Sequence, residues 1–267
     1  MRAALALIPL LLTLPARADA AQDLAKIFGE HRGAFVMYDL KNDRYTRYDA
    51  QRCAQRFSPK STFKIPNTLI GLESGVIRDA NFVIPWDRVR NPPQPNWNVE
   101  PFVHWPHDQT LRTAFKWSVV WYYQELARRV GRERMQQFLR RFHYGNETIG
   151  QDVDQFWLDG SLQISANEQI DFLRRFYARK LPLRRRTFTI ACDVMLVEST
   201  PEYRLTAKTG GGSIREGVVI GWYVGFVERG GNVYFFATNV EGPSYMSVRD
   251  LRIDVTKQAL RALNVLP

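Results

Sequence analysis

Cysteine is nearly absent from this chain of 267 residues: Cys53 and Cys192 are the only two. A scaffold stapled by several disulfides is thereby excluded, while one bond between the two, or a pair of buried thiols, both stay open. Histidine is scarce as well. His104 and His107 lie near Asp108, but Pro106 stands between them and no third ligand follows at a metallohydrolase spacing, so no metal is expected. Long apolar runs are missing too. The one from Ala3 to Leu14 falls short of the roughly 20 residues that cross a bilayer. It follows Met1-Arg2 and precedes Ala18-Asp19-Ala20, a small-x-small pattern. Together these predict a secretory signal peptide over residues 1–20 and an exported, periplasmic mature chain that starts at Ala21. With no cysteine after the cleavage pattern to take a lipid, no membrane anchor is expected. Internal repeats and low-complexity tracts are lacking. So is a Gly-x-Ser-x-Gly elbow, which argues against a Ser-His-Asp hydrolase.

Positive charge, by contrast, is plentiful. The formal net charge is +10, one unit lower once Arg2, Arg17 and Asp19 are removed, and 29 arginines against 8 lysines supply it. Clusters at Arg128-Arg129, Arg132 to Arg141, Arg174-Arg175 and Arg184-Arg185-Arg186 raise the question of a nucleic-acid partner. They fall on the polar faces of helical patterns, with Glu125, Glu133 and Asp171 interspersed, and no zinc-finger, helix-turn-helix or RNP signature accompanies them. No nucleic-acid partner is expected.

Residues 21–267 suffice for a single large domain. Ala34 to Asp39 and Arg44 to Asp49 predict a hairpin around Lys41-Asn42-Asp43. The middle is helical, with patterns over Val119 to Val130, Arg132 to Phe142 and Asn167 to Arg179. Ser165 and Glu168 form a capping box for the last of these, which makes Glu168 structural rather than catalytic. The period then switches to strands at Tyr203 to Ala207, Val218 to Glu228 and Gly231 to Val240, with a turn at Arg229-Gly230-Gly231-Asn232. In the middle strand Ile220, Trp222, Val224 and Phe226 share one face, with Tyr223 and Val227 opposite, so both faces are covered. A closing helix from about Arg249 to Leu263 packs on that sheet. The fold class is α+β: a central antiparallel sheet built from both chain ends, about 21–60 and 195–267, with flanking helices and a helical lobe over about 61–194. The cleft between lobes is the natural site. Its edge strands could pair across a dimer, so monomer and homodimer both stay open.

Three short motifs carry chemistry. In Ser61-Thr62-Phe63-Lys64, Pro59 precedes and a helical apolar pattern follows (Phe63, Ile65, Leu69, Ile70, Leu72) until Gly75, which places Ser61 at a helix N-terminus. Unpaired N–H groups and partial positive charge there suit a developing oxyanion. Positions three apart share a helix face, so the Lys64 amine reaches the Ser61 hydroxyl, a weak nucleophile that needs a base. Ser118-Val119-Val120 sets a hydroxyl just ahead of a helix, able to relay a proton toward a leaving nitrogen. Lys208-Thr209-Gly210 lies on a strand, with Gly210, Gly211 and Gly212 letting a substrate backbone lie close.

In this order and spacing, together with Tyr144-Gly145-Asn146 and Phe156-Trp157-Leu158-Asp159-Gly160, the chain resembles the class D β-lactamases, the oxacillinase family of penicillin-recognising serine enzymes. The resemblance covers nearly all of residues 21–267. It implies a β-lactamase/transpeptidase-like fold and a β-lactam hydrolase associated with antibiotic resistance. It further implies Ser61 as nucleophile, the amides of Ser61 and Gly211 as oxyanion hole, and Ser118, Lys208 and Trp157 as further catalytic residues. Lys64 is implied as a general base after carbon dioxide converts it to N6-carboxylysine, so that carbon dioxide or bicarbonate is required and no other cofactor. Burial lowers a lysine pKa, and only a neutral amine attacks carbon dioxide. Val120, Phe63, Trp157 and Leu158 are the candidates for that apolar pocket, with the Trp157 indole N–H as donor to the carbamate. Class A enzymes use a Glu as base, but here Glu168 already has its capping role. Val120, Leu158, Tyr144, Thr209 and Gly210 are implied as substrate-binding residues. The substrate carboxylate calls for an arginine, with Arg252 the best fit and Arg249 a rival. Two alternatives share the motifs: a penicillin-binding sensor domain that is acylated without turnover, and a D,D-transpeptidase. Substrate range depends on loops near Trp105 and over Gly211 to Gly217, where Arg215 and Glu216 add charge.

Overall fold

The computed structural model describes the backbone of residues 16–267 and side chains from Gln22 onward. The apolar run expected as the heart of a signal peptide lies outside the described residues. Helix α1 (Ala16–Phe28) passes through the expected cleavage pattern. Beyond that pattern it buries Leu24 and Phe28, the latter stacked on Tyr48 with ring centroids 4.3 Å apart.

The chain enters the sheet through β1 (Gly33–Asp39) and β2 (Arg44–Tyr48), the expected hairpin. Alternation explains β1: Ala34, Val36 and Tyr38 enter one core, Phe35 and Met37 the other. After α2 (Ala50–Ala54) and the two-residue β3 (Arg56–Phe57), the helical lobe begins with α3 (Lys64–Glu73). A small ladder of β4 (Val83–Ile84) and β5 (Gln109–Thr110) leads to α4 (Leu111–Lys116), α5 (Val120–Val130) and α6 (Arg132–Phe142). Then β6 (Ile164–Ser165) pairs with β3 and opens α7 (Ala166–Tyr177), and α8 (Arg185–Met195) closes the lobe. Ser165 and Glu168 cap α7 as expected, and Arg56 grips the Glu168 carboxylate.

The return to the sheet uses β7 (Leu196–Ser199), β8 (Tyr203–Arg215), β9 (Val218–Arg229) and β10 (Asn232–Gly242), then α9 (Tyr245–Arg249) and α10 (Leu251–Ala262). Strand order is β2-β1-β10-β9-β8-β7, antiparallel throughout, so both chain ends build one sheet. On β9, Ile220, Trp222, Val224 and Phe226 face the helical lobe while Tyr223 and Val227 face the terminal helices.

The structure differs from the sequence reading in three places. Strand β8 does not stop at Ala207 but continues through the glycines to Arg215, because Gly211, Gly212 and Ser213 pair with Gly221, Ile220 and Val219. The connection expected over Gly211 to Gly217 shrinks to a turn at Glu216-Gly217, where Gly217 has φ +66. The closing helix breaks at Asp250 into α9 and α10. Cys53 and Cys192 are both free thiols, the first buried and donating to backbone carbonyls of Phe35 and Tyr48.

Candidate active site

Ser61 stands in a 3-10 turn, Lys60–Phe63, that runs directly into α3. The turn is tied from several sides. The Thr62 hydroxyl donates to the Pro59 carbonyl (2.8 Å) and accepts from Gln169 Nε2 (3.0 Å), while Trp222 Nε1 donates to the Ser58 carbonyl (3.0 Å). Lys64 is wholly buried, and its Nζ lies 2.8 Å from Ser61 Oγ. Desolvation disfavours the ammonium and lowers its pKa to about 7.

Ser118 comes from the bend between α4 and α5, with the left-handed φ of +56 that non-glycine residues seldom adopt. Backbone bonds from Ser118 to Phe115 (3.2 Å) and from Val119 to Ala114 (2.9 Å) hold it there. Lys208 Nζ reaches across from β8 to Ser118 Oγ (3.0 Å) and to the Thr209 carbonyl (3.0 Å). Burial, then the nearby positive charges of Lys64 and Arg252, push the Lys208 pKa well down.

Strand β8 lies against the nucleophile turn at glycine distance. A Cβ on Gly210 would sit 2.9 Å from the Pro59 carbonyl oxygen and 3.0 Å from the Thr62 nitrogen. Ser61, Ser118, Val120, Thr209, Gly210, Gly211 and Arg252 border one cavity of about 440 Å³, which Trp105, Trp117, Phe102 and Tyr245 wall on its outer side. Lys64 and Lys208 stand behind this surface, each aimed at a serine hydroxyl. The arrangement suits acyl transfer: a nucleophile with a buried amine beside it, a second hydroxyl–amine pair, and an arginine at the far end.

The chain matches the penicillin binding protein transpeptidase domain over residues 33–263. It is 41% identical to β-lactamase OXA-48 of Klebsiella pneumoniae over 90% of this chain and 87% of that one. The class D β-lactamase YbXI from Nostoc superposes with a TM-score of 0.84 at 40% identity, covering 91% of this chain and 99% of that structure. This chain belongs to the class D β-lactamases. The C-terminal domain of the Bacillus licheniformis BlaR penicillin receptor also superposes, with a TM-score of 0.83 at 30% identity over 92% of this chain and 96% of that domain.

In this class D β-lactamase the two candidate arginines separate clearly. Arg252 is buried in the first turn of α10, donates to the Gly210 carbonyl (2.5 Å), and reaches Tyr245 Oη (3.4 Å). Arg249 is more exposed and engaged by Asp250 at 2.8 Å. Tyr144 is a correction. Expected at the substrate, it is instead fully buried behind Phe63, with ring centroids 5.7 Å apart, and its hydroxyl meets Gln169. Asn146 ties its loop to Ser161 and Gln163. Trp157 and Leu158 do not border the cavity but back the nucleophile turn. The Trp157 ring is buried and stacked on Phe63 (5.4 Å). Sequence reasoning missed Trp117, Phe102 and Tyr245 as cavity walls, since aromatic residues carry no spacing signal that separates a cleft from a core.

Proposed function

We propose that the chain is a β-lactam hydrolase that works through a Ser61 acyl-enzyme, and that it is exported to the periplasm, where this activity confers antibiotic resistance. One observation carries the reading: the buried Lys64 amine lies 2.8 Å from Ser61 Oγ, and burial lowers its pKa to about 7, so a substantial neutral fraction is present near that pH and grows above it. A neutral amine accepts the Ser61 proton as Oγ bonds to the lactam carbonyl carbon. The carbonyl oxygen becomes negative and is met by the N–H groups of Ser61 and Gly211. The ring C–N bond breaks, and its nitrogen takes up that proton, passed on from Lys64 through the Ser118 hydroxyl, which lies 3.0 Å from Lys208 Nζ, so that the Lys64 amine is neutral again. Arg252, Thr209 and Gly210 orient the substrate carboxylate, and Val120 packs on the ring system.

Release requires water to attack the ester and a base to take its proton. The enclosed neutral amine of Lys64 fits the requirement for carbon dioxide addition, and Phe63, Trp157 and Leu158 are the residues that would surround the product. Carbon dioxide added there, with release of one amine proton, would supply a carboxylate to serve as general base. Export fits the anchoring of the first helix: cleavage after Ala20 leaves Leu24 and Phe28 in the core. No helix among the described residues is long and apolar enough to cross a membrane.

The test is turnover of a chromogenic cephalosporin with and without added bicarbonate. Many turnovers per enzyme, increased by bicarbonate, are expected. Lys64→Ala should still bind but lose turnover by roughly 10²–10⁴-fold, the usual share of a general base. Stoichiometric acylation without turnover would sink the hydrolase reading and favour a receptor role like that of BlaR. Hydrolysis that survives in Lys64→Ala and ignores bicarbonate would remove the carbamate.

A further inference from the structure

Lys60, immediately before the nucleophile, has no part in the chemistry above, yet it is only 5% exposed. Lysine is rarely buried without a partner. Its Nζ donates to the Leu158 carbonyl at 2.6 Å, and its backbone N–H donates to the Trp157 carbonyl at 3.1 Å. Ser58 Oγ donates to that same Trp157 carbonyl at 2.8 Å. Two consecutive carbonyls of the 157–158 segment are therefore fastened to the turn that carries Ser61, and one of these bonds is charge-assisted.

The other side of Lys60 is equally constrained. Its stem runs along β8, where a Cβ on Gly212 would lie 3.3 Å from Lys60 Cδ. Its backbone adopts a left-handed φ of +50, a conformation that persists in a non-glycine residue only where the surroundings hold it. The segment it holds matters, because Trp157 stacks on Phe63, the residue next to Lys64. Loosening 157–158 would open the chamber around the Lys64 amine to water.

We propose that Lys60 is a positioning residue: it clamps the Trp157-Leu158 wall onto the Ser61 turn and so governs how readily carbon dioxide occupies Lys64 and how fast the acyl-enzyme is hydrolysed. This rests on the reading of Lys64 as the carboxylated base.

Lys60→Met keeps the length of the side chain and removes the donor; Lys60→Arg keeps a charged donor. Carbon-13 NMR of each protein across a bicarbonate series reads the occupancy of Lys64, and single-turnover acylation and deacylation of a cephalosporin are timed separately. The expected result for Lys60→Met is a half-saturating bicarbonate concentration raised about tenfold and deacylation slowed about tenfold at low bicarbonate, with most of the deacylation rate restored by saturating bicarbonate and Lys60→Arg recovering most of the loss. Restoration by bicarbonate, with an unchanged far-UV spectrum, would also show that the variant is folded. Unchanged bicarbonate affinity, or losses that neither bicarbonate nor Lys60→Arg restores, overturns the clamp. If the parent itself gives no carbamate signal, the Lys64 reading fails instead. The clamp then stands or falls on whether deacylation slows in Lys60→Met and recovers in Lys60→Arg.

Discussion

A lysine amine in water holds its proton up to about pH 10. At Lys64 burial is the cause that brings this to about 7, and it has consequences for both stability and activity. Below pH 7 the folded and unfolded states are both protonated, and the folded state bears the full cost of a buried charge. Between about 7 and 10.5 only the unfolded chain stays protonated, so stability rises with pH across that window. In bicarbonate-free buffer, Lys64→Met should exceed the parent in stability by on the order of 3–5 kcal/mol at pH 6, and the gap should nearly close by pH 10. Urea denaturation at both pH values reads this directly; a gap independent of pH would mean that Lys64 is not desolvated. Ser61, Lys64, Ser118 and Lys208 were legible as a set because chemistry demands those residue types at those spacings. Tyr144 was not, because a motif names a residue without saying which side of a packed layer its ring will enter.

Strand β8 lies so close to the nucleophile turn that side chains are excluded between them. At Gly210 the obstacles are backbone atoms, the Pro59 oxygen and the Thr62 nitrogen, which cannot yield without moving the turn. At Gly211 the nearest obstacle is Arg252 Nη1, 2.6 Å from a Cβ, the far end of a flexible side chain. Gly210→Ala should therefore slow acylation by at least about tenfold with the far-UV spectrum unchanged, since a displacement of about 1 Å at a reacting centre is enough for such losses. Single-turnover acylation checks this, and a rate within twofold of the parent would refute the close-approach argument. The glycines themselves were visible in the sequence. Their place inside a strand was not, because glycine favours turns locally and only the ladder to β9 holds Gly211 and Gly212 extended.

Two apolar cores lie one on each face of the six-stranded sheet. Neither depends on a covalent staple, as Cys53 packs under the β1–β2 hairpin and Cys192 lies on α8. The thermal midpoint should consequently be the same within about 1 °C with and without reductant; a fall on reduction would reveal a disulfide between them. Arginine clusters that suggested nucleic acid are partly neutralised in place. Glu125 meets Arg128 and Arg129, Asp171 meets Arg174, and Glu73 meets Arg184.

Periodicity and motif order by themselves determined the α+β class, the two-ended sheet and the serine–lysine pairs, because each depends on local side-chain chemistry or on the alternation of apolar residues. Tertiary structure alone decided that Arg252 rather than Arg249 meets β8, that Tyr144 is core, and that Lys60 joins the Ser61 turn to Leu158. These are contacts between segments about 40 to 100 residues apart. Packing geometry selects them, and no local pattern records it.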